Sequence, residues 1–185
     1  MARLPAATRD SVPSNQQGAF DEIVQNSGGV PPYGPGSILI HVPEASRRAT
    51  ALNQYLRNES SLPEKILELA MLITAREMDC QHIWNAHAAS GRSAGLSDDL
   101  VDGLREEEEL SGLPDDEQAV VNYGRELFRT HHASRGAFQA VLEQFERQGA
   151  VELTLVFGNY TMLAMAINAF DSDLPPDRTE PLLAI

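Results

Sequence analysis

A succession of helical patterns between Pro43 and Phe170 constrains the fold of this chain more than any other feature. Apolar residues recur there at the three- and four-residue spacing of amphipathic helices, and helix-starting residues such as Ser97 and Ser134 separate the segments. Only 38–42 has a strand-like alternation, and that alternation is weak. The 185 residues suffice for one domain with a sizeable core. The sequence therefore predicts an all-α domain.

Less regular sequence flanks the helical part on both sides. Residues 1–42 are predicted to form an N-terminal arm, with a short helix at 19–25 and a Pro/Gly-rich segment at 30–36. That segment is predicted to be non-helical, because it contains three prolines and two glycines. Residues 43–175 form the predicted helical domain, and 176–185 form a C-terminal tail.

Seven helices are predicted after residue 42, and several have recognisable starts. Ser61 is the predicted N-cap of the second helix, with Pro63 in its first turn. Asp79 is the predicted N-cap of the third. The last two predicted helices cover 134–149 and 152–170, and the final one is the most apolar.

The charge of the chain excludes two classes of partner. It has 27 acidic and 14 basic residues, which gives a formal net charge of −13. Nucleic acids and anionic membranes attract positive charge, so neither is an expected partner. The apolar stretch 153–170 contains glycine, asparagine and threonine, which favours a buried helix over a membrane span.

The single cysteine, Cys80, and the polar N-terminus bear on the location of the protein. One cysteine cannot form an intrachain disulfide, and a free thiol suits a reducing compartment. The first twenty residues lack the apolar core of a signal peptide. The expected location is therefore the cytoplasm.

Four residues capable of chemistry lie within a span of twenty: Glu68, Cys80, His82 and His87. A carboxylate, a thiol and two imidazoles support proton transfer, thiol chemistry or metal binding. Cys80 lies at a predicted helix start, where the helix dipole lowers the pKa of a thiol. We expect the four side chains to converge on one hollow between two consecutive helices.

Each of these residues also has a purely structural interpretation. A free cysteine is most often a small buried residue, and a core histidine often bonds to a carbonyl group. Glu68 is equally interpreted as an acid on a helix surface. The two histidines are five residues apart, unlike the i, i+4 pair of a zinc helix, so no metal is expected. No Gly-rich phosphate loop or nucleotide-binding fingerprint is present, and no organic cofactor is expected.

The segment LPEKILELAMLITAREMDCQHIWNAH, residues 62–87, resembles a known superfamily. Its ELxxLxxAR pattern begins at Glu68, and the helix after it carries His87. The later stretch NYTMLAMAINAF, residues 159–170, is similar to the last core helix of that family. The chain resembles the carboxymuconolactone decarboxylase and AhpD-like superfamily over about residues 43–175. The resemblance implies an AhpD-like helical bundle that assembles as a homotrimer or homohexamer, with sites near subunit contacts.

Two branches of this superfamily use the histidine-bearing helix differently. In the AhpD-like peroxidases, a glutamate, a Cys-x-His-Cys motif and a histidine form a relay. Glu68, Cys80, His82 and His87 match that relay in order and spacing. Ile83 occupies the position of the second, peroxide-attacking cysteine, so the dithiol cycle of that branch cannot run within this chain.

The decarboxylase branch has the pattern Tyr-Glu-Trp-x-x-His in the same helix. Trp84 and His87 match this pattern, whereas His82 and Ile83 replace the tyrosine and the glutamate. The first functional hypothesis is a carboxymuconolactone decarboxylase-like enzyme in which His87 performs acid–base proton transfer. Its substrate is a small molecule, a lactone or a related organic acid, and Glu68 and His82 orient the catalytic imidazole.

Three further residues are expected to line the substrate pocket: Trp84, Tyr33 and His41. The second functional hypothesis is an AhpD-like one-cysteine peroxidase, in which Cys80 is oxidised to a sulfenic acid and an external thiol reduces it. The third is a non-catalytic helical oligomer that retains only the scaffold.

Overall fold

The computed structural model describes residues 2–178 and 180–185. Over these residues the chain forms α-helices and short 3₁₀ turns, with no β-strand. The predicted all-α class is therefore confirmed. The helices are α1 (Gln17–Ser27), α2 (Gly34–Leu39), α3 (Pro43–Asn58), α4 (Glu64–Glu77), α5 (Gln81–Ser93), α6 (Asp98–Arg105), α7 (Asp115–Thr130) and α8 (Arg135–Phe170).

Helix α4 forms the centre of the domain. Its residues 66–76 are buried in an unbroken run, because the sequence ILELAMLITAR is apolar on nearly every face. Helices α5, α7 and α8 pack around it, and α6 contacts it as well. Leu69, Leu72 and Ile73 are among its buried side chains. The core therefore surrounds α4, and every polar group on this helix needs an internal partner.

Helix α8 joins two helical stretches that the sequence predicts as separate. The interruption lies at Glu146, where φ is 58° and ψ is −168°, slightly before the predicted gap between 149 and 152. By length and composition this helix is long and apolar enough to cross a membrane. However, 56% of its most apolar stretch is buried inside the protein, where it packs against α3, α4 and α7. Such burial is typical of a core helix.

The structure corrects the predicted start of α4. Ser61 is not its N-cap, because α4 begins at Glu64 and Pro63 precedes its first turn. The Ser61 hydroxyl instead donates a hydrogen bond to the buried carboxylate of Glu152 on α8. Ser61 therefore binds an acceptor that is distant in sequence and does not cap the helix start to which the local pattern assigns it.

The predicted N-cap of α5 is also wrong. Cys80 is the N-cap, and Asp79 adopts a left-handed backbone conformation with a φ of 48°. The Asp79 carboxylate pairs with the guanidinium group of Arg76, which is itself buried and needs a negative partner. The helix starts predicted at Ser97 and Ser134 are confirmed, and each hydroxyl caps its helix by accepting a hydrogen bond from an amide three residues later.

The structure corrects the prediction for the N-terminal arm in two places. Segment 30–36 is predicted to be non-helical, yet α2 begins inside it, at Gly34. Pro35 lies in the first turn, where its missing N–H leaves no hydrogen bond unmade. The weak strand predicted at 38–42 is absent, because its first residues belong to α2 and Ile40 is buried in a small apolar cluster.

The Glu152 carboxylate ties α8 to the segment between α3 and α4. One oxygen accepts hydrogen bonds from the Ser61 amide and hydroxyl, at 2.8 and 2.6 Å. The other accepts from the Tyr55 hydroxyl at 2.7 Å and the Gln148 amide at 3.0 Å. Burial opposes ionisation, but the hydrogen bonds from Ser61, Gln148 and Tyr55 outweigh it and lower the pKa of Glu152 to about 2.

Replacement of this carboxylate is expected to destabilise the fold. In Glu152→Gln the amide group meets four donors with only one acceptor oxygen, so the free energy of unfolding should fall by about 1–3 kcal/mol at pH 7. The advantage of the wild type should be complete above a pH of about 4.5 and shrink as the pH falls towards 2. Urea unfolding between pH 3 and pH 7 measures both effects.

The exposed residue Glu143 on the same helix provides the control, and Glu143→Gln should change the stability by less than about 0.5 kcal/mol. Equal stabilities of the two variants at pH 7 would contradict this role of Glu152.

Candidate functional site

A buried carboxylate–imidazole pair joins α4 to α5. Glu68 Oε2 lies 2.8 Å from His87 Nδ1, and only 4% and 9% of the two side chains are exposed. An ionised carboxylate can only accept a hydrogen bond, so Nδ1 of the imidazole donates it. This arrangement fixes the ring orientation and leaves Nε2 as the nitrogen that can exchange a proton.

Two further residues complete a cluster around this pair. The Tyr160 ring of α8 contacts the His87 ring edge-to-face, with the centroids 5.4 Å apart. Arg57, at the end of α3, places Nη2 3.7 Å from Glu68 Oε1, with 45% of its side chain exposed. Burial is the main cause that raises the pKa of Tyr160 to about 12, with Arg57 opposing it, so the phenol stays protonated. Four different helices thus supply the cluster.

The Cys80 thiol is fully buried at the start of α5. The backbone amides of Ile83 and His82 face its sulfur and act to lower its pKa, as expected at a helix N-terminus, although neither makes a side-chain capping hydrogen bond. Burial nevertheless outweighs these donors and raises the pKa of the Cys80 thiol. The sequence-based expectation of a lowered pKa is therefore wrong, because the local dipole is only one of two opposing effects.

The His82 imidazole packs against the backbone of the N-terminal arm. A Cβ atom on Gly34 would lie 2.3 Å from His82 Nε2, so only glycine allows this close approach. His82 Nδ1 is buried and has no hydrogen-bond partner among the described residues. Burial, followed by the charge of His87, lowers the pKa of His82, so the ring is neutral at pH 7.

His82 and Tyr33 line one cavity of about 710 Å³. Trp84 lies instead in the core, 1% exposed, and its indole N–H donates to the carbonyl of Pro181 at 2.9 Å. His41 follows α2 and does not line this cavity. Its Nε2 is buried without a hydrogen-bond partner in the described part of the chain.

A second, smaller cavity of about 330 Å³ opens beside Glu68, and Arg57 forms part of its wall. Neither this cavity nor the larger one is lined by His87 or Cys80. The expected common hollow is therefore corrected: Glu68 and His87 meet directly, while His82 faces a different cavity. The pair therefore borders only the smaller cavity, through Glu68.

The described residues contain no group of three or more histidine, cysteine or acidic side chains arranged to hold a metal ion. The histidine of the Glu68–His87 pair has its Nδ1 occupied by the carboxylate. The arrangement is therefore suited to proton transfer through Nε2.

Two members of the cluster are not identified as site residues from the sequence. Arg57 belongs to an amphipathic helix whose arginines all have the pattern of surface residues. Tyr160 occupies a position in the last helix that is typical of a core aromatic residue. Their contacts depend on how α3 and α8 pack against α4, and the sequence contains no local signal for that packing.

Comparisons with known proteins show the fold. No known family profile and no curated protein matches the sequence. The AhpD core of an uncharacterized peroxidase-related protein from Ralstonia eutropha JMP134 has a TM-score of 0.72 at 17% identity, over 95% of this chain and 93% of that one. A peroxidase-related protein from Silicibacter sp. TM1040 has a TM-score of 0.68 at 18% identity, over 95% and 92%.

A third similar structure is that of the debrominase Bmp8, with a TM-score of 0.66 at 14% identity, over 92% of this chain and 91% of that one. Another structure of this debrominase, a cysteine-to-alanine variant, contains 2,3,4-tribromopyrrole, and it matches with a TM-score of 0.67 at 12% identity. The chain therefore has the AhpD-like fold, and the fold predicted from the sequence resemblance is confirmed.

The contact between Gly34 and His82 leads to a prediction with an internal control. Gly34 and Gly28 both have a positive φ, of 67° and 70°, so alanine is strained at either position. Only Gly34 also has His82 within reach of the added Cβ. Gly34→Ala should therefore lower the free energy of unfolding by about 1–3 kcal/mol more than Gly28→Ala.

Urea unfolding of the two variants, side by side, measures this difference. Equal losses would show that the His82 ring moves aside freely and that the arm does not hold it in place.

Proposed function

We propose that the protein is a small-molecule enzyme in which His87 transfers a proton to or from a lactone or a related organic acid. The observation that supports this proposal is the 2.8 Å contact between Glu68 Oε2 and His87 Nδ1 in a buried setting. A carboxylate in this position orients the imidazole and stabilises the imidazolium ion that forms when Nε2 takes a proton.

The cluster around the pair suits repeated proton transfer. The Tyr160 ring holds the His87 imidazole from one side, and Arg57 balances the charge of Glu68 when the imidazole is neutral. Departure of a carboxyl group as CO2 leaves an electron pair on the substrate, and an imidazolium ion can protonate the carbon that carries it. General acid–base catalysis of this kind contributes roughly 10²–10⁴ to a rate.

A second candidate function uses Cys80 as the nucleophile of a one-cysteine peroxidase. It is favoured by the two backbone amides directed at the Cys80 sulfur. The thiolate would attack a peroxide oxygen, the O–O bond would break, and the alcohol would leave with a proton. An external thiol would then form a mixed disulfide with release of water, and a second would restore Cys80. Burial of the thiol works against this route.

One set of variants separates these functions. His87→Gln should lower kcat for 4-carboxymuconolactone or a related lactone by about 10²–10⁴, because it removes the proton-transfer group. Glu68→Gln should lower kcat with little change in KM, and Cys80→Ser should retain lactone turnover. Ultraviolet absorbance follows the lactone, and a dithiothreitol-coupled assay follows an alkyl hydroperoxide.

His132→Gln changes an exposed histidine and should behave as the wild type. Loss of peroxide consumption in Cys80→Ser, with lactone turnover absent from the wild type, would favour the peroxidase and contradict the role of His87. If none of the variants alters turnover or ligand binding, the scaffold alone has been retained.

We also propose that the protein forms a homo-oligomer, a trimer or hexamer, through α8. Its second half carries four exposed apolar residues on one face, at spacings of four, seven and three: Val151, Leu155, Met162 and Met165. An apolar helix face of this length is typical of a protein–protein contact. In a single subunit this apolar face is exposed to water.

Light scattering tests the assembly. The wild type at micromolar concentration should give a mass that is a multiple of 20.2 kDa, and Met165→Glu should lower it, because the carboxylate would be buried in the contact. Ser111→Glu adds the same charge at an exposed loop position and should leave the mass unchanged. A monomeric wild type would contradict the assembly.

A further inference from the structure

The last six residues, Glu180–Ile185, lie as irregular chain against the corner between α4 and α5. Gln81 holds the backbone of Leu183 on both sides: its amide nitrogen donates to the carbonyl at 2.7 Å, and its amide oxygen accepts from the N–H at 2.9 Å. This reciprocal pair reproduces the hydrogen bonds that a neighbouring strand would make. The segment is therefore bound through its backbone.

Side chains of α4 and α5 supply three more attachments to this segment. The Trp84 indole donates to the carbonyl of Pro181 at 2.9 Å, and Arg76 Nη1 donates to the carbonyl of Ala184 at 3.1 Å. Arg92 Nε forms an ion pair with Glu180 at 3.3 Å. In each of these contacts the side chain belongs to a helix and its partner belongs to the irregular segment.

The residues that hold the segment lie on both sides of Cys80 in the sequence. Arg76 is one helical turn before it, Gln81 is the next residue, and Trp84 is one turn after it. The segment therefore lies beside the start of α5, where the thiol is fully buried, and Leu183 belongs to the same apolar cluster as Cys80. At its other end, Ile185 lines the cavity of about 710 Å³ that His82 and Tyr33 also line.

The hold on the segment is shallow. Leu183, at 4% exposed, is the only buried residue of the segment, while Pro181, Ala184 and Ile185 are exposed. One buried side chain and a few hydrogen bonds must offset the conformational entropy of ordering six residues. Segments with so few buried contacts open locally without global unfolding.

We propose that Glu180–Ile185 is a detachable cover, held in place by Gln81 and Trp84, whose release opens the Cys80 corner and the cavity lined by His82. Its role as a gate for substrate rests on the proposed function, whereas its release does not. The cover controls which of the two chemistries the protein can perform: with the segment bound the thiol is inaccessible, and with the segment released a reagent or a peroxide can reach it.

The chain contains its own reporters for this release. It has one cysteine and one tryptophan, and both lie at the corner that the segment covers. The rate of alkylation of Cys80 by iodoacetamide reports access to the thiol. Quenching of the Trp84 fluorescence by acrylamide reports access to the indole. Neither signal depends on turnover of any substrate.

The experiment compares the full chain with Gln81→Ala and with a chain that ends before Glu180. Loss of the two hydrogen bonds to Leu183 should speed alkylation of Cys80 at least about tenfold in Gln81→Ala, and quenching of Trp84 should rise with it. Thermal unfolding followed by circular dichroism should show that the fold is retained. Gln139→Ala, a matched change at an exposed position on α8, should behave as the full chain.

Unchanged alkylation and quenching in Gln81→Ala would overturn the proposal, and so would unchanged signals in a folded truncated chain. If the truncated chain fails to fold, Gln81→Ala decides alone. Faster alkylation together with absent lactone turnover in the full chain would support the cover and contradict the proposed reaction. The two proposals therefore fail separately.

Discussion

Helix α4 is enclosed by α5, α7 and α8, and each polar group on it must find a partner inside the protein. Glu68 meets this requirement with His87, and Thr74 bonds back to a carbonyl of its own helix. Arg76 bonds to Asp79 and to the C-terminal segment. The carboxylate–imidazole pair, the unusual conformation before α5 and the docked tail are thus three results of the same burial.

The two candidate chemistries differ in what this burial does to them. For His87, burial comes with an internal partner, because Glu68 Oε2 lies 2.8 Å from Nδ1 and satisfies that side of the ring. For Cys80 it is unfavourable, because the backbone amides that face the sulfur do not offset the loss of water. This difference between two residues of the same helix is the physical reason for proposing proton transfer by His87 ahead of thiol chemistry at Cys80.

Sequence reasoning predicted the helical class and placed Glu68 and His87 on consecutive helices, because such placement depends on periodicity and on spacing along the chain. It misplaced the starts of both helices, since Ser61 and Asp79 are each drawn away by a charged group that is distant in sequence or already buried. It missed Arg57 for a related reason: α3 is an ordinary amphipathic helix, and only its packing brings this side chain to Glu68. Prediction of the pKa shift of Cys80 requires the burial of the thiol as well as its position at the helix start.

The half-exposed guanidinium group of Arg57 has a consequence for how the interior responds to the medium. One of its nitrogens, Nη2, lies near Glu68, so the buried carboxylate has a positive neighbour that is itself partly in solvent. Mobile ions screen charges that are separated by more than a Debye length, about 8 Å at physiological ionic strength, and the 3.7 Å between Arg57 Nη2 and Glu68 Oε1 is much shorter. The buried carboxylate therefore keeps its positive neighbour in physiological salt, which an ion pair at long range on the surface would not do.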